Sequence, residues 1–327
     1  MKALTSALIA VCICTVAISQ DIHFSRFWMT PLLLNPAQAG AEHDMRGILN
    51  YKSQWNSVAA PYSTVNASWD MKIKSKKRKG FSAFGVDAFQ DQAGDGEMKT
   101  MQMNLAYAYH IYLNKESTLG VGLYGGFAQR SINYSELKWM NQYDGSTYNA
   151  AIASDEPSGS SSLTYLDMGS GIHYEYGTGK IDLSVGAALF HANRPAYSFY
   201  GTDEKLNMKI VGYVYSLVGT NNRNIAFLPG VVYFQQGKST ELLAGTMFRY
   251  QFTGYESGAS VALGAHYRNK DALIPTLMLE IAHYSIGISY DVNISGLKTV
   301  SRGQGGFEIS LRYANPNPYR SKTSSRI

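Results

Sequence analysis

The chain has 327 residues, of which 45% are apolar and only 16% are charged, against about 25% charged in an ordinary soluble domain. That balance excludes a disordered chain, and a net charge of +5 is too small to mark a nucleic-acid binder. Glycine is frequent at 31 residues, proline is scarce at 9, and 24 residues are tyrosine, a profile that fits all-β chains, membrane barrels among them.

Residues 1–19 read as a secretory signal peptide. Lys2 supplies the positive start, and Ala3 to Ile18 is mostly apolar and uncharged. Ala17-Ile18-Ser19 then sets small residues at the cleavage positions before Gln20. The apolar run is short for a membrane anchor. Both cysteines, Cys12 and Cys14, lie inside it, and Ile13 fits poorly in a lipoprotein signal. The mature chain is therefore expected to lack disulfides, thiol nucleophiles and zinc–thiolate sites. No later stretch reaches about 18 apolar residues, so no helical membrane span is expected.

Residues 20–46 do not alternate, and Pro31 and Pro36 prevent one continuous helix. The segment is apolar, so it is expected to be buried, either as a hatch in a lumen or beneath the periplasmic mouth of a barrel. From residue 47 onward, apolar residues recur with period two. In 101–113, Met101, Met103, Leu105, Tyr107, Tyr109, Ile111 and Leu113 share one face. Gln102, Asn104, Ala106, Ala108 and His110 share the other.

The expected strands are 47–54, 61–72, 81–90, 98–113, 118–133, 163–177 and 181–191, then 207–219, 224–236, 240–253, 258–269, 272–282, 284–293 and 305–314. Several of these patterns are long enough to cross a bilayer at a tilt, and an even count suits a bacterial single-chain barrel. Aromatic pairs such as Tyr51 with Trp55, Tyr213 with Tyr215 and Tyr250 with Phe252 suit girdles at the headgroup level. The fold class read from this pattern is all-β: a transmembrane antiparallel β-barrel of about fourteen strands over 47–314, with 315–327 as a tail. The long connections 134–162, 192–206 and 294–304 fall on one side, and short ones such as 114–117, 178–180 and 220–223 on the other. Long loops face outside and short turns face the periplasm. The expected location is the outer membrane.

Several motifs yield to plainer readings. Gly237-Lys238-Ser239 lacks the earlier glycine of a phosphate loop, since Val232 stands there, and reads as a hairpin turn. The seven histidines show no metal-binding spacing, so neither metal nor cofactor is expected. His283 and Ser285 sit two apart, but no third residue can be named to orient the imidazole, and no catalytic residue is assigned. Polar residues including Asn66, Asp70, Asp182, Asp291, Glu308 and Arg312 suit a hydrated or plugged lumen.

Two regions are candidates for partner contact. A basic run of Lys72, Lys74, Lys76, Lys77, Arg78 and Lys79 falls at the periplasmic rim. It reads as a solvated turn or as a contact for an acidic periplasmic partner or lipid phosphates. Loop 134–162 carries Trp139, Tyr143 and Tyr148, residues suited to protein contact, although an ordinary surface loop reads the same way.

The opening of the mature chain resembles that of the PorP/SprF family of Bacteroidetes outer-membrane proteins. The matching residues are Gln20, Asp21, Phe24, Ser25, Pro31, Asn35, Pro36, Ala37, Ala39 and Gly40. Ile22 stands where the family usually has proline, and Arg26 where it has glutamine. The resemblance continues through Tyr51-Lys52-Ser53-Gln54-Trp55, Tyr267-Arg268 with Asp271-Ala272, Gly287-Ile288-Ser289-Tyr290-Asp291 and Glu308-Ile309. It implies a non-enzymatic component of type IX secretion, tied to gliding motility, that supports secretion or surface anchoring of exported proteins. The implied partners are periplasmic ring proteins, the C-terminal domain of a secreted surface adhesin, and outer-membrane lipid. Phe24, Pro31, Asn35, Pro36 and Gly40, with Lys76, Lys77 and Arg78, would then meet the periplasmic machinery, and Trp139 and Tyr143 an exported protein. A passive channel for small or apolar solutes is the alternative.

Overall fold

The computed structural model describes residues 21–54, 62–73, 79–94, 96–154, 160–252, 258–296 and 304–315. The expected signal peptide, the expected girdle residue Trp55, Lys74, Lys76, Lys77 and Arg78 of the basic run, and the tail beyond Asn315 lie outside these residues.

Strands that cross lipid must pair every backbone group within the sheet, which forces the sheet to close. Here fourteen antiparallel strands do so. They are β1 (Met45–Gln54), β2 (Tyr62–Ile73), β3 (Gly80–Ala93), β4 (Met98–Tyr112), β5 (Ser117–Ser131), β6 (Ser162–Gly177) and β7 (Ile181–Phe190). Then follow β8 (Lys209–Gly219), β9 (Ile225–Gln236), β10 (Ser239–Gln251), β11 (Ala259–Arg268), β12 (Ala272–Ile281), β13 (Tyr284–Asn293) and β14 (Gln304–Asn315). Each strand pairs with its sequence neighbours, and β1 closes the ring on β14, with Met45 opposite Asn315 and Gln54 opposite Gly306. All the expected strands are present, with ends within three residues of the expected ones.

The pleat sorts the alternating side chains as anticipated. Met101, Met103, Leu105 and Leu113 are more than half exposed, while Ala106, Ala108 and His110 are buried. This inverts a soluble domain: the apolar face is outside, where lipid lies, and the polar face lines the lumen. One aromatic pair departs from the expected girdle. Tyr213 and Tyr215 point inward, and Tyr213 is only 3% exposed. Their hydroxyls bond groups inside the lumen (Asn35, His173, Gln38 and Glu42), so the rings pack inside rather than at the headgroups.

The lumen is filled by the chain's own N-terminal segment. Asp21 lies against Lys209 and Gln236, at the end carrying the long connections 132–161 and 191–208. Gly40 lies against Asp70 near the opposite end, where the short turns 113–116, 178–180 and 282–283 lie. The segment therefore runs from the outer rim to the periplasmic rim before β1 turns back. Its prolines keep it compact. Phe27–Met29 forms a 3-10 turn, Pro31–Leu34 a single helical turn (α1), and Pro36–Gln38 a second 3-10 turn. Proline suits the first position of such turns, because its missing N–H would have no partner there. The molecule's apolar core is the contact of this plug with the wall: Phe27, Leu32, Leu34 and Ala39 pack with Tyr124, Phe190, Val211, Tyr213 and Ile274.

Close packing of plug and wall demands small residues at the contact. A Cβ added at Gly122 of β5 would stand 2.6 Å from Ala37 Cα, a backbone atom that cannot swing aside. Gly122→Val should therefore destabilise the folded barrel by about 1–3 kcal/mol, measured as a lower midpoint for the heat-induced mobility shift in electrophoresis. An unchanged midpoint would mean that the plug does not press on β5.

Candidate functional site

The plug and the wall residues that grip it form the candidate site. At the outer rim, Asp21 is clasped by His191 Nε2 at 2.5 Å, while His191 Nδ1 meets Asp167 at 2.9 Å. Gln236 donates to Asp21 at 3.0 Å, and Lys209 Nζ lies 3.6 Å away. Burial raises the cost of ionising Asp21, but His191 and Lys209 outweigh it and hold the carboxyl well below its usual range. Burial likewise opposes protonation of His191, yet Asp21 and Asp167 together push it up to about 9. An imidazolium between two carboxylates is thus the stable state at neutral pH. His191 adopts a positive φ of 56°, an uncommon backbone for a non-glycine residue, which this clasp holds in place.

One turn deeper, charge is denser. Glu308 of β14 accepts from the backbone N–H of Ser25 at 2.8 Å and pairs with Lys52 of β1 at 3.0 Å. Lys52 also donates to the His23 carbonyl at 2.9 Å. The Ser25 hydroxyl donates to Asp291 of β13 at 2.9 Å and accepts from Arg268 of β11 at 2.5 Å. Arg268 in turn pairs with Asp291 at 2.8 Å and with Asp271 at 3.1 Å. Ser25 and Glu308 are 283 residues apart in sequence, so no local pattern could have joined them. Glu308 is wholly buried and Asp291 is 1% exposed. Buried charges of this kind persist only when paired and hydrogen-bonded.

The motif Asn35-Pro36-Ala37-Gln38-Ala39-Gly40 forms the inner half of the plug, and each of its residues has a physical task. Asn35 is extended, as the residue before a proline must be, and its side-chain oxygen caps Ala37 N–H at 2.8 Å. Its amide donates to the carbonyl of Ile172 at 2.8 Å and to the Tyr213 hydroxyl at 3.2 Å. Ala37 fits against Gly122. The Gln38 carbonyl accepts from Arg46 Nη2 at 3.1 Å, and the Ala39 carbonyl meets His110 Nε2 at 2.9 Å. Gly40 takes a φ of 60°, which favours glycine. Its N–H donates to Asp70 at 2.8 Å, and Asp70 pairs with Arg46 at 2.9 Å.

The stretches that carry the resemblance converge in space. Lys52, Arg268, Asp291 and Glu308 come from four separate strands and meet at Ser25 or its immediate neighbours. Of the residues singled out for partner contact, Phe24, Pro31, Asn35, Pro36 and Gly40 are buried within the lumen. A partner could touch them only if the plug left its seat. Tyr143 is 58% exposed and Trp139 half-buried, both in the outer connection 132–161. Lys76, Lys77 and Arg78 lie outside the described residues. Sequence reasoning did not pick out Asp167, His191, Lys209 or Tyr213 as plug contacts, because nothing local distinguishes a lumenal residue that grips the plug from one facing water. Ser285 joins the lumenal network, 2.9 Å from Arg312, and His283 Nδ1 meets the Ala314 carbonyl at 2.9 Å. Among the described residues, no group of three or more His, Cys, Asp or Glu is placed to hold a metal ion.

Comparison with known proteins agrees with this geometry. A family model described as "Type IX secretion system membrane protein PorP/SprF" matches residues 16–313. No curated protein matches the chain. Among solved structures, a mutant of the TodX monoaromatic hydrocarbon channel aligns with a TM-score of 0.53 at 9% identity, over 86% of this chain and 93% of that one. A Pseudomonas aeruginosa FadL homologue aligns at 0.47 and 10% identity, over 86% and 92%. CdiB from Acinetobacter baumannii aligns at 0.40 and 8% identity over 83% of this chain, which spans 60% of CdiB. At such identities the likeness concerns the fold alone. Fold and family match together place the protein in the outer membrane as a multi-pass β-barrel.

One residue in the network is poorly matched to its surroundings. Arg26 is 2% exposed, its nearest carboxylate is Glu308 at 3.9 Å, and its Nε and Nη1 find no hydrogen-bond partner among the described residues. Glu308 keeps Lys52 without it. A buried charge without full pairing is costly to keep, and Arg26 leaves two buried donors without partners. Arg26→Gln, which installs the residue typical of the resemblance, should raise stability by about 1 kcal/mol, read as a higher thermal midpoint. A lower midpoint would show that Arg26 holds the plug.

Proposed function

Because the chain belongs to the PorP/SprF family of type IX secretion system membrane proteins, we propose that it serves as a docking component of that machinery rather than as a conduit or an enzyme. The observation that carries this reading is the filled lumen. A barrel whose interior is occupied by its own segment, held by buried ion pairs at the outer rim and by the Arg46–Asp70 pair at the inner rim, is suited to anchoring and presenting. The family is not a known enzyme family, and Glu308, Asp291, Asp70, His110 and His191 are engaged in holding the plug.

In this reading, the periplasmic turns and rim meet the periplasmic ring proteins, and the outer connections meet an exported surface protein, including the C-terminal domain of an adhesin. Connection 132–161 supports the second contact through exposed Met140 and Tyr143. Tyr143 pairs with Tyr148, ring centroids 6.3 Å apart, across an isolated bridge. Such aromatic and methionine surfaces are enriched at protein interfaces. The alternative of a passive channel for small or apolar solutes gains nothing from a lumen so occupied.

The test is cellular. Deleting the gene should leave one or more exported proteins in the periplasm or released into the medium, scored by surface proteolysis and fractionation of intact cells. Normal surface display of every such protein in the deletion strain would contradict the docking role.

A further inference from the structure

The plug does not fill the lumen evenly. The Pro36–Gln38 turn packs on β4, β5 and β6, and α1 on β3. Near the short-turn end this leaves a recess of about 200 Å³ against the opposite wall. Its floor is apolar: Phe27 and Trp28 of the plug, Leu228 of β9, Met247 of β10 and Met278 of β12. Nearer the mouth the lining is charged on both sides. Glu42 and Asp44 follow the plug, with Asp182 on β7, while Arg249 and Arg312 come from β10 and β14 with Glu280 beside them. Phe27 and Trp28 of the plug stand at its deep end, away from the periplasmic mouth.

We propose that this recess is a binding site for one large apolar side chain presented on a peptide from the periplasmic side. The lining decides the ligand class. Four carboxylates (Glu42, Asp44, Asp182 and Glu280) stand with three permanent cations (Lys72, Arg249 and Arg312). That near balance disfavours a strongly charged ligand, such as a lipid phosphate group or a polycation, which would meet about as many charges of its own sign as of the other. Opposite charges sit side by side, Lys72 with Asp44 at 3.7 Å and Arg249 and Arg312 with Glu280 at 3.2 and 2.9 Å, so the mouth offers polar groups with little net charge, which suits an uncharged ligand that can hydrogen-bond. An apolar floor beneath a polar rim is the usual form of a pocket for an apolar anchor side chain from a partner. Methionine side chains adapt to varied apolar shapes, so Met247 and Met278 would admit aromatic and branched aliphatic residues alike. The inference rests on the docking reading above and deepens it by naming what one docking partner inserts.

The test uses the full-length protein in lipid nanodiscs, with the tripeptides Ala-Phe-Ala and Ala-Ala-Ala as probes in isothermal titration. Saturable binding is expected for the phenylalanine peptide, at least about tenfold tighter than for the alanine peptide, from the apolar area buried. Filling the recess with Met278→Trp should remove that preference. Leu228→Trp, at a half-buried position with more room to adjust, serves if the first variant does not fold. Folding is checked by heat-shifted electrophoretic mobility.

Equal binding of the phenylalanine peptide to wild-type protein and to a folded filled variant would overturn the site, as would no saturable binding to the wild type. Competition by toluene at the affinity of the peptide would make it a site for small solutes and overturn the peptide assignment. The docking role is judged separately, by surface display in the deletion strain. Lost display in that strain, with peptide binding unchanged in the filled variant, removes the recess and leaves docking standing. Normal display there removes docking whatever the recess binds.

Discussion

A polypeptide enclosed in a barrel must find on the wall the hydrogen bonds that water would otherwise supply, because each buried polar group left without a partner costs about 1–3 kcal/mol. The plug has too little regular structure to satisfy itself, with single turns at Phe27–Met29, Pro31–Leu34 and Pro36–Gln38. The wall therefore supplies what the plug lacks. Glu308 takes the Ser25 N–H, Asp70 takes the Gly40 N–H, Arg46 serves the Gln38 carbonyl and His110 the Ala39 carbonyl. The polar lumen is the complement of this one segment, and its charges are arranged to neutralise each other across it.

That constraint explains why the lumen holds so many buried ionisable groups. Asp291, Glu308, Arg268 and Lys52 lie close together, as catalytic groups often do. Each, however, is paired with another or bonded to the plug. The two rims use the same device. At the outer rim, His191 bridges Asp21 and Asp167, and at the inner rim Arg46 bridges Asp70 and the Gln38 carbonyl. The plug is thus pinned at both ends and packed by Phe27, Leu32 and Leu34 between them.

The barrel was legible in the sequence because its signal repeats: alternation from Met101 to Leu113 states the same face choice many times over, and closure follows from the need to pair every backbone group in lipid. The plug was legible only in part. Apolar residues without period, broken by Pro31 and Pro36, require burial somewhere, but they do not say whether inside the lumen or beneath it. The outcome depends on Glu308, Asp291 and Asp70, which are remote in sequence and unremarkable as alternating polar residues. Tyr213 and Tyr215 show the limit from the other side. Period-two patterning marks two faces but cannot say which is lipid when both are apolar, as in β8 with Val211, Tyr213 and Tyr215 on one and Ile210, Val214 and Val218 on the other. Inside, the two hydroxyls find polar partners on the plug and the residues that follow it. The NPAQAG stretch could be matched as a motif, but its reasons, such as the positive φ of Gly40 and the cap at Asn35, required the wall to be in place.

The central claim is that the plug occupies the lumen in the working protein, and ionic conductance tests it most directly. Purified full-length protein reconstituted in a planar bilayer should show no steady open-channel current. A constant, ohmic conductance from properly inserted wild-type barrels would mean that the lumen is open and that the plug does not hold the place assigned to it.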